Sequence, residues 1–269
     1  MSNLAVRLLT AAVVVPLLLL LLYRGPAWGL YLLILPASII GTYELVSMTH
    51  PADRASQAIA LFLAAAASVA LYWGNDPRWT TTVLAVVPVA GPVLTLFRLG
   101  DIRSAAFRAI TMSVAPLFVS VPLVWLAIVR RDAPMGASFV VMTLMFAWFS
   151  DTGGYFAGRF LGKHKLYEAV SPKKTVEGAI GGLGGSLVGG LLAHFWFLPI
   201  IPLHHVIPLS LLAGALGQAG DLGESLIKRS TGVKDSGAIV PGHGGILDRI
   251  DALILTSTVV YLYTLWIKP

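Results

Sequence analysis

Charged side chains gather between Lys234 and Asp251, in the segment KDSGAIVPGHGGILDRID. Charge is scarce elsewhere, since only 12% of the 269 residues are Asp, Glu, Lys or Arg, against about 25% in a typical soluble domain. Asp248 and Asp251 are three residues apart, so on a helix both face the same way. Carboxylates in a chain without cysteine and with few histidines suit a hard cation such as Mg²⁺. A cation held by carboxylates and surrounded by lysine and arginine is typical of phosphoryl or nucleotidyl transfer.

Acidic residues are concentrated in the second half of the chain, where eight of the thirteen lie at or after position 151. Five of them are predicted to lie near the same membrane face: Asp151, Asp221, Glu224, Asp248 and Asp251. An acid at the centre of a bilayer costs at least about 2.5 kcal/mol, so acids persist where they face a cavity, a cation or a partner. The sequence therefore predicts a carboxylate cluster at one depth. A structural network of ion pairs at a helix end is the alternative for the group around Arg249.

Two glycine- or lysine-rich segments have the chemistry to bind phosphate groups. In PGHGG, at 241–245, glycines let main-chain N–H groups approach an anion closely, and a helix beginning near Ile246 would add a favourable dipole. His243 is equally compatible with a catalytic and with a solvated or capping role.

The segment SPKKTVEG, at 171–178, places Lys173 and Lys174 just before a predicted helix start. A triphosphate could lie there, although positive charges that simply face the cytoplasm are the alternative. The nearby GRFLGKH, at 158–164, is not a P-loop, because only three residues separate its glycines and His follows its Lys.

Apolar residues make up 57% of the chain and come in blocks long enough to cross a bilayer. Nine candidate spans follow from these blocks: 8–23, 28–48, 56–74, 79–97, 106–129, 136–157, 175–198, 204–222 and 251–267. We therefore predict an all-α, polytopic integral membrane protein with about nine transmembrane helices. We expect spans 1–5, in 1–130, and a C-terminal catalytic region, in 131–269, to form one continuous membrane domain.

Two features within the spans need separate interpretation. Glycines at 181, 185 and 189 form a small-xxx-small pattern that favours close helix packing in lipid. Glu44, an isolated acid in the second span, is assigned no chemistry and is expected to pair with an arginine or to line a cavity.

Basic residues divide unequally between the two sides of the predicted spans. Fourteen of the 19 Lys and Arg residues fall on the side of the N-terminus and the even-numbered connectors, and five fall on the other side. Because loops rich in basic residues stay in the cytoplasm, we predict a cytoplasmic N-terminus and cytoplasmic loops at 158–174 and 223–250. Topology thus accounts for the net charge of +6, and no aromatic–basic pattern indicates nucleic-acid binding.

The segment from Ser225 to Asp251 resembles the signature of the phosphatidate cytidylyltransferases. The shared pattern is S-x-x-K-R, four residues, K-D, and later P-x-H-G-G-x-x-D-R-x-D. The segments WFSDTGGYFAGRFLGKHKL, beginning at Trp148, and SPKKTVEG are also similar to that family. Gly154 and Val240 depart from the usual pattern, but neither removes a charge.

This resemblance implies an integral membrane enzyme that makes CDP-diacylglycerol and pyrophosphate from CTP and phosphatidate. The cofactor it implies is Mg²⁺, with a monovalent cation such as K⁺ beside it. It implies that Asp221 and Asp248 are the best metal ligands, with Asp151 and Asp251 next. It also implies a homodimer, and we expect a multi-pass protein of the inner (cytoplasmic) membrane whose polar site opens to the cytosol and to lipid.

We expect the basic side chains to hold the phosphate groups of both substrates. Lys173 and Lys174, with the backbone of 241–245, would bind the triphosphate, while the lipid phosphate or leaving pyrophosphate would bind three others: Lys228, Arg229 and Arg249. The residues expected to take part in the reaction are Asp221, Asp248, Asp251, Lys228, Arg249 and His243. The residues expected to bind substrate are Lys173, Lys174, Ser171, Ser225, Arg229, Lys234, Asp235, Gly244 and Gly245.

Two other functions fit parts of this pattern. The motif does not separate acyl from ether chains, so a CTP-dependent transferase or kinase acting on another lipid phosphate or lipid alcohol is an alternative. A cation-coupled transporter is the alternative from a different class, although its acids would step across the membrane rather than cluster at one face.

Overall fold

Long α-helices form almost the whole of the computed structural model, which describes residues 3–237 and 244–267. The helices before residue 133 are α1 (Asn3–Arg24), α2 (Ala27–Thr49), α3 (Arg54–Trp73), α4 (Pro77–Phe97), α5 (Ile102–Ala115) and α6 (Val121–Asp132). A π-helical segment, Pro116–Ser120, joins α5 to α6. The later elements are α7 (Gly136–Leu161), β1 (Lys165–Tyr167), β2 (Ser171–Thr175), α8 (Val176–Trp196), α9 (Leu203–Ser230) and α10 (Leu247–Ile267).

Seven helices in the described part of the chain are long and apolar enough to cross a membrane. They are α2, α3, α4, the continuous rod from α5 to α6, α8, α9 and α10. The apolar part of α1, Ala12–Arg24, is shorter. The prediction of an all-α, polytopic membrane protein is confirmed, while the number nine and the orientation of the N-terminus stay predictions.

Contacts between connectors sort the ends of the helices into two groups. At one end, Asp53 before α3 pairs with Arg98 after α4 at 2.8 Å. At the other end, Tyr23 of α1 lies 3.1 Å from Ser138 of α7 through their hydroxyl oxygens. These contacts agree with the predicted topology, in which successive connectors lie on alternating sides of the membrane.

Asp53 also illustrates how the first of these ends is held together. Partial burial would raise its pKa, but hydrogen bonds from Ser56 and Arg98 outweigh burial and hold the pKa of Asp53 well below its usual range. The stabilising effect of a depressed carboxyl pKa is fully present above the unfolded value, about 4, and is lost as the pH falls toward the lowered value.

Two hydrophobic clusters fill the interior, and α10 belongs to both. The first cluster combines α2, α3 and α6 with Leu247 and Ile254 of α10. The second combines α7 and α9 with Val259 and Val260. The last described helix therefore joins the N-terminal and C-terminal halves through its own two ends.

Glycines let α7 and α8 pack with their backbones in close contact. A Cβ added at Gly153 of α7 would meet the carbonyl oxygen of Gly181 at 2.4 Å. A Cβ at Gly185 of α8 would collide with the carbonyl oxygen of Phe149, and one at Gly189 would lie 3.1 Å from that of Met145. The predicted small-residue packing is confirmed.

We expect Gly185→Ala to destabilise the protein by about 1–3 kcal/mol, because the new methyl group would collide with backbone that cannot rotate away. Gly184→Ala is the matched control, since a Cβ there has open space around it. Thermal unfolding of both variants in detergent would measure the difference. Equal melting temperatures for the two variants would contradict this account of the helix pair.

An antiparallel hairpin between α7 and α8 was not predicted. Lys165 of β1 is opposite Thr175 of β2, and Lys165 Nζ donates to the carbonyl oxygen of Pro172 at 2.5 Å. Thr175 then caps α8 by accepting the N–H of Gly178 at 3.1 Å, as the predicted helix start requires. Glu177 clamps the hairpin to the helix, accepting the N–H of Lys163 at 3.0 Å.

The two long connectors predicted at 158–174 and 223–250 are shorter in the structure, because the helices beside them run further. Helix α7 continues to Leu161 and α9 to Ser230, while α10 already begins at Leu247. Several signature residues expected in loops therefore lie on helices, whose regular backbone fixes the direction of their side chains.

Candidate functional site

Acidic residues from three helices lie at the end of the bundle that carries the hairpin. Asp151 lies on α7, Asp221 on α9 and Asp251 on α10. Asp221 repels both of the other carboxylates electrostatically, and Asp151 and Asp251 repel each other. The three acids therefore lie near enough to influence one another electrostatically, while their role in a common site stays a prediction.

Lys174 connects the hairpin to this acidic group. Its Nζ lies 2.6 Å from Oδ2 of Asp221, and the side chains are 28% and 31% exposed. Partial exposure leaves this pair accessible to a ligand. Ser225 lies one turn after Asp221, with 3.5 Å between its Oγ and Asp221 Oδ1, and Lys173 is exposed beside Lys174.

A second ion-paired group lies deeper between α9 and α10. Lys228 Nζ is 3.0 Å from Oε2 of Glu224 and 2.6 Å from Oδ1 of Asp248. The Glu224 side chain is 1% exposed, and its other oxygen, Oε1, has no hydrogen-bond partner among the residues that are described. Removing one partner of a buried ion pair leaves an uncompensated charge and strongly destabilises the protein.

Asp248 is further oriented by hydrogen-bond donors of the segment between α9 and α10. Its Oδ2 accepts the N–H of Gly245 at 2.8 Å, the N–H of Ser236 at 3.0 Å and the Ser236 hydroxyl at 2.9 Å. Gly244 has a positive φ of 80°, and a Cβ there would lie 2.8 Å from Asp248 Oδ2. A glycine is therefore required at 244 for both conformation and space.

The other predicted site residues are spread around this centre. Arg229 Nε donates to the carbonyl oxygen of Val170 at 3.4 Å, which ties α9 to the hairpin. Arg249 is exposed on the first turn of α10, Lys234 and Asp235 are exposed in the loop after α9, and Ser171 begins β2. His243 and the rest of 238–243 lie outside the described residues.

The donor set suits a hard divalent cation, because it consists of carboxylates from separate helices with mutual repulsion to relieve. Within 3–237 and 244–267, however, no three acidic or histidine side chains converge into a group that could hold a metal ion. Two of the predicted metal ligands are instead paired with lysines, Asp221 with Lys174 and Asp248 with Lys228. Metal binding by these acids stays a prediction.

A cavity of about 780 Å³ lies at the opposite end of the helices, among residues that include Asn75, Thr80 and Tyr261. Its Arg131 is paired with Asp132 at 2.6 Å. None of the predicted site residues lines this cavity.

Three buried polar residues of the site were missed or left without a role. Glu224 and Glu44 gave a usable signal, since an acid in an apolar span indicates a polar partner. Ser236 gave none, because a loop serine has many ordinary uses, and only the fold shows that it lies between Asp248 and Glu44.

Membrane-crossing helices with lysine–carboxylate pairs at one end are typical of a polytopic membrane protein that binds charged ligands. The chain belongs to the cytidylyltransferase family, whose family model matches residues 5–267.

Individual relatives agree with this assignment. A phosphatidate cytidylyltransferase of Synechocystis sp. is 32% identical over 297 residues, covering 98% of this chain and 97% of the relative. The enzyme of that name from Staphylococcus saprophyticus is 38% identical over 183 residues, or 68% of this chain and 67% of the relative. The one from Brucella suis is 41% identical over 145 residues, about half (51%) of each chain.

Proposed function

We propose that this protein is a phosphatidate cytidylyltransferase, which transfers CMP from CTP to phosphatidate and forms CDP-diacylglycerol and pyrophosphate. The observation that carries the proposal is the pairing of signature residues across elements, Lys174 with Asp221 and Lys228 with Asp248. Such a site offers both cations and carboxylates to two polyanionic substrates. Full-length similarity to the Synechocystis enzyme supports the same substrates.

The difficulty of this reaction is electrostatic rather than a shortage of nucleophile. A phosphate monoester has its second pKa at about 6, so the phosphatidate oxygen is largely ionised at neutral pH and needs no strong general base. That oxygen forms a new bond to the α-phosphorus of CTP while the bond to the β-phosphate breaks, and pyrophosphate leaves with the electron pair. Lys174 and Lys228 would neutralise and position the phosphate groups.

The carboxylates are assigned to metal binding rather than to proton transfer. Asp221 and Asp248 would hold Mg²⁺, with Asp151 and Asp251 completing the set and K⁺ beside it. When bound, Mg²⁺ supplies charge neutralisation at the phosphate oxygens. In the described structure Lys174 and Lys228 balance part of the same negative charge.

One assay separates the proposed function from its alternatives. Purified protein would be incubated with radiolabelled CTP and a panel of diacyl, ether and isoprenoid lipid phosphates and a lipid alcohol, with and without Mg²⁺. CDP-diacylglycerol and pyrophosphate formed only with Mg²⁺ would support the proposal. Transfer of the γ-phosphate to the alcohol would indicate a lipid kinase instead, and no product with any acceptor would favour the transporter.

We further propose a homodimer in the inner membrane with the acidic end facing the cytosol. Because the chain contains no cysteine, single cysteines can report the side directly. Glu168→Cys, in the hairpin turn, should resist an impermeant maleimide applied to intact cells, whereas Ile200→Cys, between α8 and α9, should react. The reverse pattern would contradict the proposed orientation.

A further inference from the structure

Glu44 lies in the last two turns of α2 and is buried, with 2% of its surface exposed. Burying a carboxylate in a membrane protein is costly unless it has strong partners. Its partners come from a segment about 200 residues later in the sequence. The Oε1 atom accepts the N–H of Ile246 at 3.0 Å, and Oε2 accepts the N–H of Leu247 at 2.7 Å.

These two N–H groups belong to the start of α10. The first N–H groups of a helix lack partners within the helix, and a negative charge placed there is favourable because of the helix dipole. Glu44 therefore caps α10 from another helix, in the way that a local Asp or Ser caps most helices. The expectation that Glu44 pairs with an arginine or lines a cavity is replaced by this contact.

The loop before α10 is shaped around the same carboxylate. A Cβ at Gly237 would lie 2.5 Å from Glu44 Oε1, and a Cβ at Gly245 would lie 2.5 Å from Glu44 Oε2. Glu44 thus packs against backbone on both sides of 238–243, and a side chain at either glycine would displace its carboxylate.

A shared hydroxyl links Glu44 to Asp248. The Ser236 Oγ lies 3.2 Å from Glu44 Oε2 and 2.9 Å from Asp248 Oδ2. A hydroxyl carries a single proton to donate, so the two carboxylates share it. Glu44 holds both the turn that carries Asp248 and the serine that orients it.

We propose that Glu44 is a positioning residue for the nucleotidyl transfer: it fixes the first turn of α10 and Ser236, and so holds the Asp248 carboxylate against Lys228. This inference rests on the proposed function. Glu44 itself touches no substrate and moves no proton. Its effect is expected on the rate of the chemical step rather than on substrate affinity.

The decisive variant is Glu44→Gln in the purified full-length protein. The amide keeps the shape but loses the charge, and its NH₂ group would face the N–H of Ile246 or Leu247. We expect kcat to fall by about 10- to 100-fold, the usual cost of losing a group that orients an active-site ligand, while KM for CTP and for lipid changes less than about threefold. Hydrogen–deuterium exchange should rise in residues 244–250 and stay unchanged in α7 and α8.

Thr42→Val is the matched control on the same helix. Thr42 is also buried, but its hydroxyl lies 3.4 Å from that of Ser120 and makes no hydrogen bond to α10 among those of the described residues. We expect this variant to leave kcat and the exchange of 244–250 unchanged. The proposal is overturned if Glu44→Gln keeps a kcat within about twofold of the wild type, which is a much smaller loss than expected. It is also overturned if both variants lose activity with the same uniform rise in exchange.

Ser236→Ala tests the same link without altering Glu44. Loss of a hydroxyl that donates to charged carboxylates should lower kcat by about tenfold or more at unchanged KM. An unchanged kcat would overturn the proposal even if Glu44→Gln does not fold. A wild-type protein that forms no CDP-lipid would refute the proposed function alone. The exchange comparison would still decide the positioning role, because it needs no turnover.

Discussion

Asp248→Asn is expected to lower kcat for CDP-diacylglycerol formation by about 10³-fold, the upper range for removing one preorganised electrostatic contact. Asp248 balances Lys228 at 2.6 Å and accepts three hydrogen bonds from Gly245 and Ser236. Asparagine removes the charge and turns an NH₂ group toward donors. Initial rates with radiolabelled CTP in membranes, normalised to inserted protein, would measure the loss.

The control for Asp248→Asn is Asp101→Asn, at the N-cap of α5. Asp101 is exposed and accepts the N–H of Arg103 at 3.1 Å, a bond that asparagine also makes. We expect normal turnover from this variant. Turnover near the wild-type level in Asp248→Asn would refute a role for Asp248 in the reaction, including the proposed metal binding.

Lys174→Met is expected to raise KM for CTP by about 10- to 100-fold, since a charge-assisted hydrogen bond contributes about 1.5–3 kcal/mol and each 1.4 kcal/mol is about tenfold in affinity. The reason is that Lys174 is half-buried on the hairpin, with its Nζ next to Asp221, where a triphosphate can replace the carboxylate as its partner. KM for phosphatidate should change little. Steady-state rates over a range of CTP concentrations would show the effect.

Two further variants serve as controls for Lys174→Met. Lys163→Met removes an exposed lysine before the hairpin and should leave KM for CTP unchanged. Lys174→Arg keeps the charge and should recover part of the affinity. An unchanged KM for CTP in Lys174→Met would remove Lys174 from the triphosphate site, even if kcat fell.

The course of the helices was predictable because a bilayer imposes one simple rule, that each crossing needs a long apolar block. Every predicted span overlaps a helix of the structure. The polar ends of the helices were harder to predict. Helix α9, for example, continues to Ser230 through Glu224 and Lys228, where composition no longer indicates a span. The hairpin of Lys165 and Ser171 escaped notice because its strands are only three and five residues long.

Candidate site residues could be named from the signature, but their pairing could not. A sequence shows that lysines and aspartates are near each other along the chain, and it does not show that Lys174 reaches Asp221 from a separate hairpin. Glu44 is the clearest case, because its partners at Ile246 and Leu247 are set by the packing of α2 against the start of α10. Long-range contacts of this kind follow from tertiary structure alone.

The place of α10 in both hydrophobic clusters has a consequence for how the protein is made. During translation α10 emerges after every other described helix, so both clusters lack part of their apolar lining until then. Leu247 and Ile254 complete one cluster, and Val259 and Val260 complete the other. A nascent chain truncated before α10 would leave both halves open to lipid or to quality-control proteases, and catalytic competence would arrive in a single late step of biogenesis.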